Sequence, residues 1–388
     1  MQLIISKVQI NGINEKLFSL YFYIFSIMSG IIYLIPQYSK YVLLFVVGIM
    51  LFISIIYNNF KLRNTISIMI ITIFMGLLFI FDFVFRSNSF LSTYAYYFII
   101  FGLIPIYFYA QTRDNNIILE QYSKISILVF FMYFWTPIGG YTVFSDYMAF
   151  GFNFALPVFC GLYIARKRLH YKWTIILEMI MFAELIVFSN KSAVIAGLIF
   201  ILLYNLFIET WNLKHFIKIF LGVIILLIAI YNINILLLYL SHILNFFGIN
   251  SYSIKTFQRI IETQELTVGL TNRDVIWKLA LKYFREHWIL GMGTGGFQSV
   301  SGIYPHNLFI DILVQYGIVG MIVFIFGLFR TLKKIYIKHD NSDKLFIILL
   351  VSLGLVPLTF SMIFYESLPF WIFIYYGLIK LSKKVAMN

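Results

Sequence analysis

His306 with Asn307 beside it, and the basic side chains Arg273, Lys191, Arg259 and Arg285, are the residues whose types and positions point to chemistry. An imidazole titrates near neutral pH and can take a proton from a hydroxyl. A guanidinium grips an anion through two parallel hydrogen bonds. Arg273 falls in the first turn of an expected helix, with Thr271 as N-cap and Asp274 as its capping-box partner. Free backbone amides at such an end add to the positive charge. Glu178 and Glu184 lie inside one apolar run and Asp311 near the start of another. Ionisable groups there are costly and usually have partners.

Structural readings compete for each of these residues. Arg273 can pair with Asp274 or Glu262 in a solvated loop. His306 can cap a helix, and Lys191 can snorkel to the membrane interface. Glu184 precedes Lys191 on the same helical face, which predicts a structural pair, and Asp311 is a partner for His306. The chain has no His-Glu-x-x-His, no Gly-x-Ser-x-Gly and no Walker lysine. Gly291-Met292-Gly293-Thr294-Gly295-Gly296 formally contains Gly-x-Gly-x-x-Gly, but it follows a helix and no βαβ unit surrounds it. Its expected use is a turn whose backbone comes close to another surface. Cys160 is the single cysteine and sits in an apolar run, which excludes a disulfide framework and a cysteine metal site.

The elements that must position these groups are apolar helices. Of 388 residues, 61% are hydrophobic and 12% charged, with a mean hydropathy of +0.90; a soluble chain carries about 25% charged residues. The runs are continuously apolar, which excludes a β-barrel. The expected fold is therefore all-α: a single polytopic membrane domain over 1–388 with about twelve transmembrane helices, each near 20 residues. The expected spans are 17–36, 41–57, 65–85, 91–109, 124–138, 147–165, 173–189, 192–208, 216–247, 306–329, 345–364 and 368–381. The ninth is long enough to break near Asn232 and Asn234, and no cleavable signal peptide is evident. The net charge of +13 is read as lysine and arginine gathered in cytoplasmic loops, not as a nucleic-acid surface. Arg166, Lys167, Arg168 and Lys172 form the clearest such loop, and alternation then places both termini in the cytoplasm. Residues 248–305 form an external helical loop, with Ile276, Trp277, Ala280, Leu281, Phe284 and Trp288 on one face of its helix and a shorter helix over 254–264.

Arg273 through Trp277, Gly291-x-Gly293-x-Gly295-Gly296-Phe297, His306-Asn307 and Gln315-Tyr316-Gly317-Ile318-Val319-Gly320 together resemble the signature of the O-antigen polymerase and O-antigen ligase superfamily. Phe188-Ser189-Asn190-Lys191-Ser192-Ala193 is a weaker match, with its basic residue displaced by one. The resemblance implies a glycosyltransferase without metal or other cofactor, acting on the outer face of a bacterial cytoplasmic membrane. The donor it implies is a glycan on undecaprenyl diphosphate, and the acceptor is a second carrier-linked unit. Under it, Arg273 and Lys191 hold the diphosphate, with Arg259 and Arg285 in reserve. His306 is the base, Asn307 fixes it, and Asp311 and Glu184 support the site. The favoured activity is repeat-unit polymerisation for O-antigen, capsular or related polysaccharide, on the grounds of a short chain and a modest external loop. A ligase transferring the glycan to lipid A–core is the nearest alternative, and a lipid-linked sugar transporter or flippase stands further off, since no internal repeat is evident. Membrane lipids and a chain-length regulator are the further expected partners.

Overall fold

The computed structural model describes residues 12–61, 63–86, 88–137, 143–144, 146–210, 217, 233–246, 248, 273–337 and 340–378. Arg259, Glu262, Thr271 and the expected helix over 254–264 lie outside them. Among the described residues the chain is all helix, with no strand. In order the helices are α1 (Ile13–Phe22), α2 (Ile24–Leu34), α3 (Ser39–Tyr57), α4 (Thr65–Phe85), α5 (Leu91–Gln111), α6 (Asn115–Tyr133), α7 (Tyr147–Arg168) and α8 (Thr174–Phe188). There follow α9 (Lys191–Phe207), α10 (Ile233–Phe246), α11 (Arg273–Glu286), α12 (Gly296–Ser301), α13 (Leu308–Ile337), α14 (Asn341–Phe360) and α15 (Leu368–Leu378).

Six of the described helices are long and apolar enough to cross a membrane: α4, α5, α7, α13, α14, and α3 with the turn before it. α9 and α15 are shorter apolar helices. The expected span 17–36 is broken at Tyr23 into α1 and α2; of the run 216–247 only residue 217 and α10 are described, and each other expected span coincides with a described helix over most of its length. The expected span 124–138 begins earlier, at Asn115, because Asp114 caps the helix by accepting from Asn116 N. The chain is a multi-pass membrane protein built of helices.

Three long helices widen in the middle, and in each a proline explains it. Residues Phe98–Leu103, Phe150–Ala155 and Val351–Leu355 take a π-helical turn, followed by Pro105, Pro157 and Pro357. A proline has no N–H to give the preceding turn and its ring crowds the carbonyl there, so the turn opens. Neighbouring helices take up the loosened carbonyls: Tyr21 donates to Ile100 O at 2.6 Å, and Ser26 donates to Asn153 O. Tyr23 and Tyr122 both donate to Pro157 O, at 2.9 and 2.7 Å.

Polar contacts sort into two ends of the bundle. At one end Arg166 holds Glu178 through two hydrogen bonds of 2.6 and 2.8 Å, Lys167 pairs with Glu209 at 2.6 Å, and Arg113 N donates to Glu15. Glu178 thereby has the partner its position in a span demands. At the other end the Gly291–Gly296 turn is clamped between α4 and α13. Thr294 N donates to Asp82 at 2.7 Å, Arg86 ties Asp82 to Leu290 O, and Asn88 reaches Met292 O and Thr294 O.

The turn also repairs a break in α13. Gly317 leaves helical geometry at φ 65 and ψ −161. The groups stranded by the break are satisfied by the turn's backbone: Met292 N to Val314 O and Gly293 N to Gln315 O, both 2.8 Å, and Ile318 N to Trp288 O at 2.9 Å. Such satisfaction is what permits non-helical backbone within a membrane-spanning element. A Cβ on Gly317 would stand 2.2 Å from Ile289 O, and one on Gly291 2.4 Å from the Gln315 carbonyl carbon. Gly317→Ala therefore meets backbone on one side and a positive φ on the other. We expect it to destabilise this end by about 1–3 kcal/mol, read as a lower thermal transition of the detergent-solubilised protein. An unchanged transition would mean that the turn does not dock this way.

Candidate functional site

Chain direction sets the site's scaffold: α14 runs away from the Arg166 end and stops at Phe360. The last carbonyls of a helix have no partner of their own and carry the negative end of its dipole. Here donors from the expected site converge on three successive carbonyls. Asn307 Nδ2 donates to Thr359 O at 3.1 Å, Arg273 Nη1 donates to Phe360 O, and the Tyr304 hydroxyl donates to Ser361 O at 2.9 Å. His306 Nδ1 lies 3.2 Å from the same Ser361 oxygen.

α11 brings Arg273 to this place. Ile276 and Ala280 are buried, and they pack with Phe297 and Val314 into a small second core. Trp277 locks the helix down, its indole N–H donating to Pro305 O at 2.8 Å. The expected apolar face is only partly right: Leu281 and Trp288 are exposed, since the buried stripe runs through Leu279 and Tyr283 instead. Burial presses Arg273 below its ordinary value, with Tyr304 and Tyr147 opposing. A guanidinium stays charged regardless, so a partly desolvated cation is held ready for an anion. Lys191 opens α9 within electrostatic reach of Arg273.

His306 has a positive φ of 56, uncommon outside glycine and found where surrounding contacts over-determine the backbone. Its ring lies against that of Tyr304, with centroids 3.9 Å apart and the planes tilted by 42°. A carbonyl oxygen only accepts, so the contact with Ser361 assigns the proton to Nδ1 and leaves the Nε2 lone pair free. Burial lowers the imidazole's pKa, the Ser361 hydrogen bond partly opposes this, and Arg273 lowers it further. The neutral ring, the form that can accept a proton, is thus favoured.

The remaining expected residues fall differently. Asn307 caps α13, accepting from Phe309 N at 3.0 Å and Ile310 N at 3.2 Å, so it anchors the helix and not the imidazole. Asp311 accepts from Gln315 Nε2 at 2.7 Å, while Gln315 Oε1 takes Gly295 N. That carboxylate therefore serves the glycine turn, and His306 turns to Ser361. The expected Glu184–Lys191 pair is not formed among the described residues. Glu184 points from α8 into the bundle, where its Oε2 is buried without a hydrogen-bond partner. Arg285 is exposed in the last turn of α11, about 18 Å along the axis from Arg273 at 1.5 Å per residue. It does not share the Arg273 and His306 site.

Sequence reasoning missed the receiving carbonyls of Thr359–Ser361, because a backbone oxygen leaves no residue signature. It also passed over Glu366. That residue lies in the turn Phe364–Glu366, half-buried, and its burial raises the pKa of its carboxyl. An acid placed between two apolar runs was the available clue.

The comparisons with known proteins bear on the same region. A family model described as O-antigen ligase matches residues 177–325. The match takes in Glu184, Lys191, Arg273, His306, Asn307, Asp311 and the break at Gly317, and ends before Thr359–Ser361 and Glu366. No curated protein and no solved structure matches the chain. The match supports an enzyme of O-antigen-related glycan transfer, ligase or polymerase. The resemblance carried by the Arg273, His306 and glycine motifs thus holds in residues 177–325, which match the O-antigen ligase family within the wider O-antigen polymerase and ligase superfamily.

Proposed function

We propose that the protein polymerises glycan repeat units carried on undecaprenyl diphosphate. The acceptor sugar's hydroxyl oxygen attacks the anomeric carbon of the donor glycan. The bond from that carbon to the diphosphate breaks, and the electron pair leaves with the diphosphate. The hydroxyl proton passes to His306 Nε2. Arg273 and Lys191 meet the charge developing on the leaving group, which fixed cations in a partly dry site do well. No metal is needed in this scheme. The observation that carries the reading is the convergence of Arg273, His306 and Tyr304 on the Phe360 and Ser361 carbonyls, with Lys191 within reach of Arg273.

This site is at the end of the bundle opposite Arg166, Lys167 and Arg168. By the positive-inside rule that assigns it to the outer face of a bacterial cytoplasmic membrane, with both termini inside. The described part of the expected external loop, residues 273–305, then lies on that outer side, and a chain-length regulator is a natural partner there. The polyprenyl tail stays among membrane lipids.

The description of the matched family favours a second reading, ligation to lipid A–core. Purified protein in liposomes given only the carrier-linked repeat unit separates the two. Ladders of elongated glycan support the polymerase. Product that forms only after lipid A–core is added overturns it in favour of the ligase.

A further inference from the structure

Tyr304 and His306 reach for one acceptor. The Tyr304 hydroxyl donates to Ser361 O at 2.9 Å, and His306 Nδ1 lies 3.2 Å from the same oxygen. Their rings touch, with centroids 3.9 Å apart and planes tilted by 42°. Pro305 between them has a fixed φ, and its carbonyl is held by the Trp277 indole at 2.8 Å. Ser361 is fixed as well: it is buried, and its N–H donates to Pro357 O at 2.9 Å. Both side chains therefore close on a carbonyl that is held in place.

A carbonyl oxygen that takes two donors holds each less strongly, since both draw on the same electron density. The Nδ1–H of an imidazolium is the stronger, charge-assisted donor. Sharing Ser361 O with a phenol therefore disfavours the charged ring more than the neutral one. Tyr304 acts in the same direction a second way. It borders a narrow internal gap together with Tyr94, Gln298, Asp311 and Gln315. A carboxylate against an imidazole favours imidazolium, and the phenol fills space through which Asp311 and His306 could otherwise meet. Arg273 on α11 also acts on His306, against the charged ring. Asp146, Glu366, Tyr147 and Lys191 act by charge on Tyr304 or on Arg273.

We propose that Tyr304 is the positioning residue of the base. Its ring sets the plane of the imidazole, its hydroxyl takes a share of the Ser361 carbonyl, and its bulk keeps His306 from Asp311. Nδ1 thereby keeps its proton, and the Nε2 lone pair stays free for the acceptor hydroxyl. This rests on the reading of His306 as the base of glycan transfer, for polymerase and ligase alike, and names the residue that prepares it.

The test compares wild type, Tyr304→Phe and Tyr304→Leu, labelled with ¹⁵N-histidine, with His306→Gln to assign the resonance. Its first readout needs no turnover: the ring-nitrogen shifts of His306 report both tautomer and titration. Wild type should show the Nδ1–H tautomer. Phenylalanine keeps the ring but gives Ser361 O wholly to Nδ1. It should therefore keep the tautomer and move the titration up by about 0.3 of a pH unit. Leucine loses the aromatic ring too, and should show mixed tautomers and a rise of about one pH unit. In turnover the pH limb of kcat/KM should move with the titration, while the phenylalanine plateau stays within about threefold of wild type. A titration in Tyr304→Phe that stays put or falls, or a single Nδ1–H tautomer retained in Tyr304→Leu, overturns the proposal. If the leucine variant does not fold, by its thermal transition, the phenylalanine variant decides. Titrations that move as expected while the kcat/KM limb does not follow keep Tyr304 as the partner of His306 and refute the base reading alone.

Discussion

Arg273→Ala is expected to lower the rate of glycan transfer by about 10²- to 10³-fold, the usual loss when a preorganised group facing developing charge is removed. The side chain also donates to Phe360 O, so alanine removes a structural hydrogen bond together with the charge. Arg273→Gln separates the two effects, since its amide can still donate to that carbonyl but carries no charge. Glutamine should remain near the alanine rate. Arg273→Lys should recover only part, because an ammonium restores the point charge but not the two-pronged guanidinium. Initial rates with carrier-linked donor, normalised to folded protein by thermal transition, decide the matter. A glutamine variant within about threefold of wild type would remove Arg273 from the chemistry and leave it a clasp between α11 and α14.

His306→Ala is expected to cost about 10²- to 10⁴-fold, the contribution of a positioned general base. The pH profile is the sharper observation. Burial first, and Arg273 after it, hold the imidazole below its ordinary value of 6.5. The active form is the neutral ring, so kcat/KM should rise with pH along a limb centred below that value and be flat across neutrality. Taking away the neighbouring cation removes a cause of the depression. The residual activity of Arg273→Gln should therefore show its limb at higher pH than wild type. A wild-type limb at or above the ordinary imidazole value, or an alanine variant within threefold of wild type, would end the base assignment.

Much of this protein could be read from residue order. The continuous apolar runs required helices, since lipid leaves the backbone no other partner, and α3, α4, α5, α7 and α14 lie close to where those runs predict them. Arg273, His306 and the glycine turn could be singled out because their residue types and order resemble a known signature. The use expected of the Gly291–Gly296 glycines, a turn whose backbone comes close to another surface, is met at Gly291, whose absent Cβ would overlap the Gln315 backbone. Other assignments failed for a common reason. Glu184 and Lys191 share a helical face by periodicity, yet the chain leaves α8 at Ser189 and restarts α9 at Lys191, and that corner parts them. Asn307 was read through its neighbour His306, when its oxygen satisfies the amides of the helix it opens.

Composition, periodicity and motif order were sufficient to determine a helical membrane protein and the residue types of its site, because burial in lipid and the chemistry of a side chain are local properties. Which groups meet was decided only by tertiary structure. The carbonyls of Thr359, Phe360 and Ser361 are chemically the same as every other carbonyl of the chain. What distinguishes them is that α14 ends there, with its last acceptors unpaired, where α11 and the start of α13 bring Arg273, Tyr304, His306 and Asn307. The His306 tautomer and the separation of Arg285 from the site both follow from that meeting of distant segments.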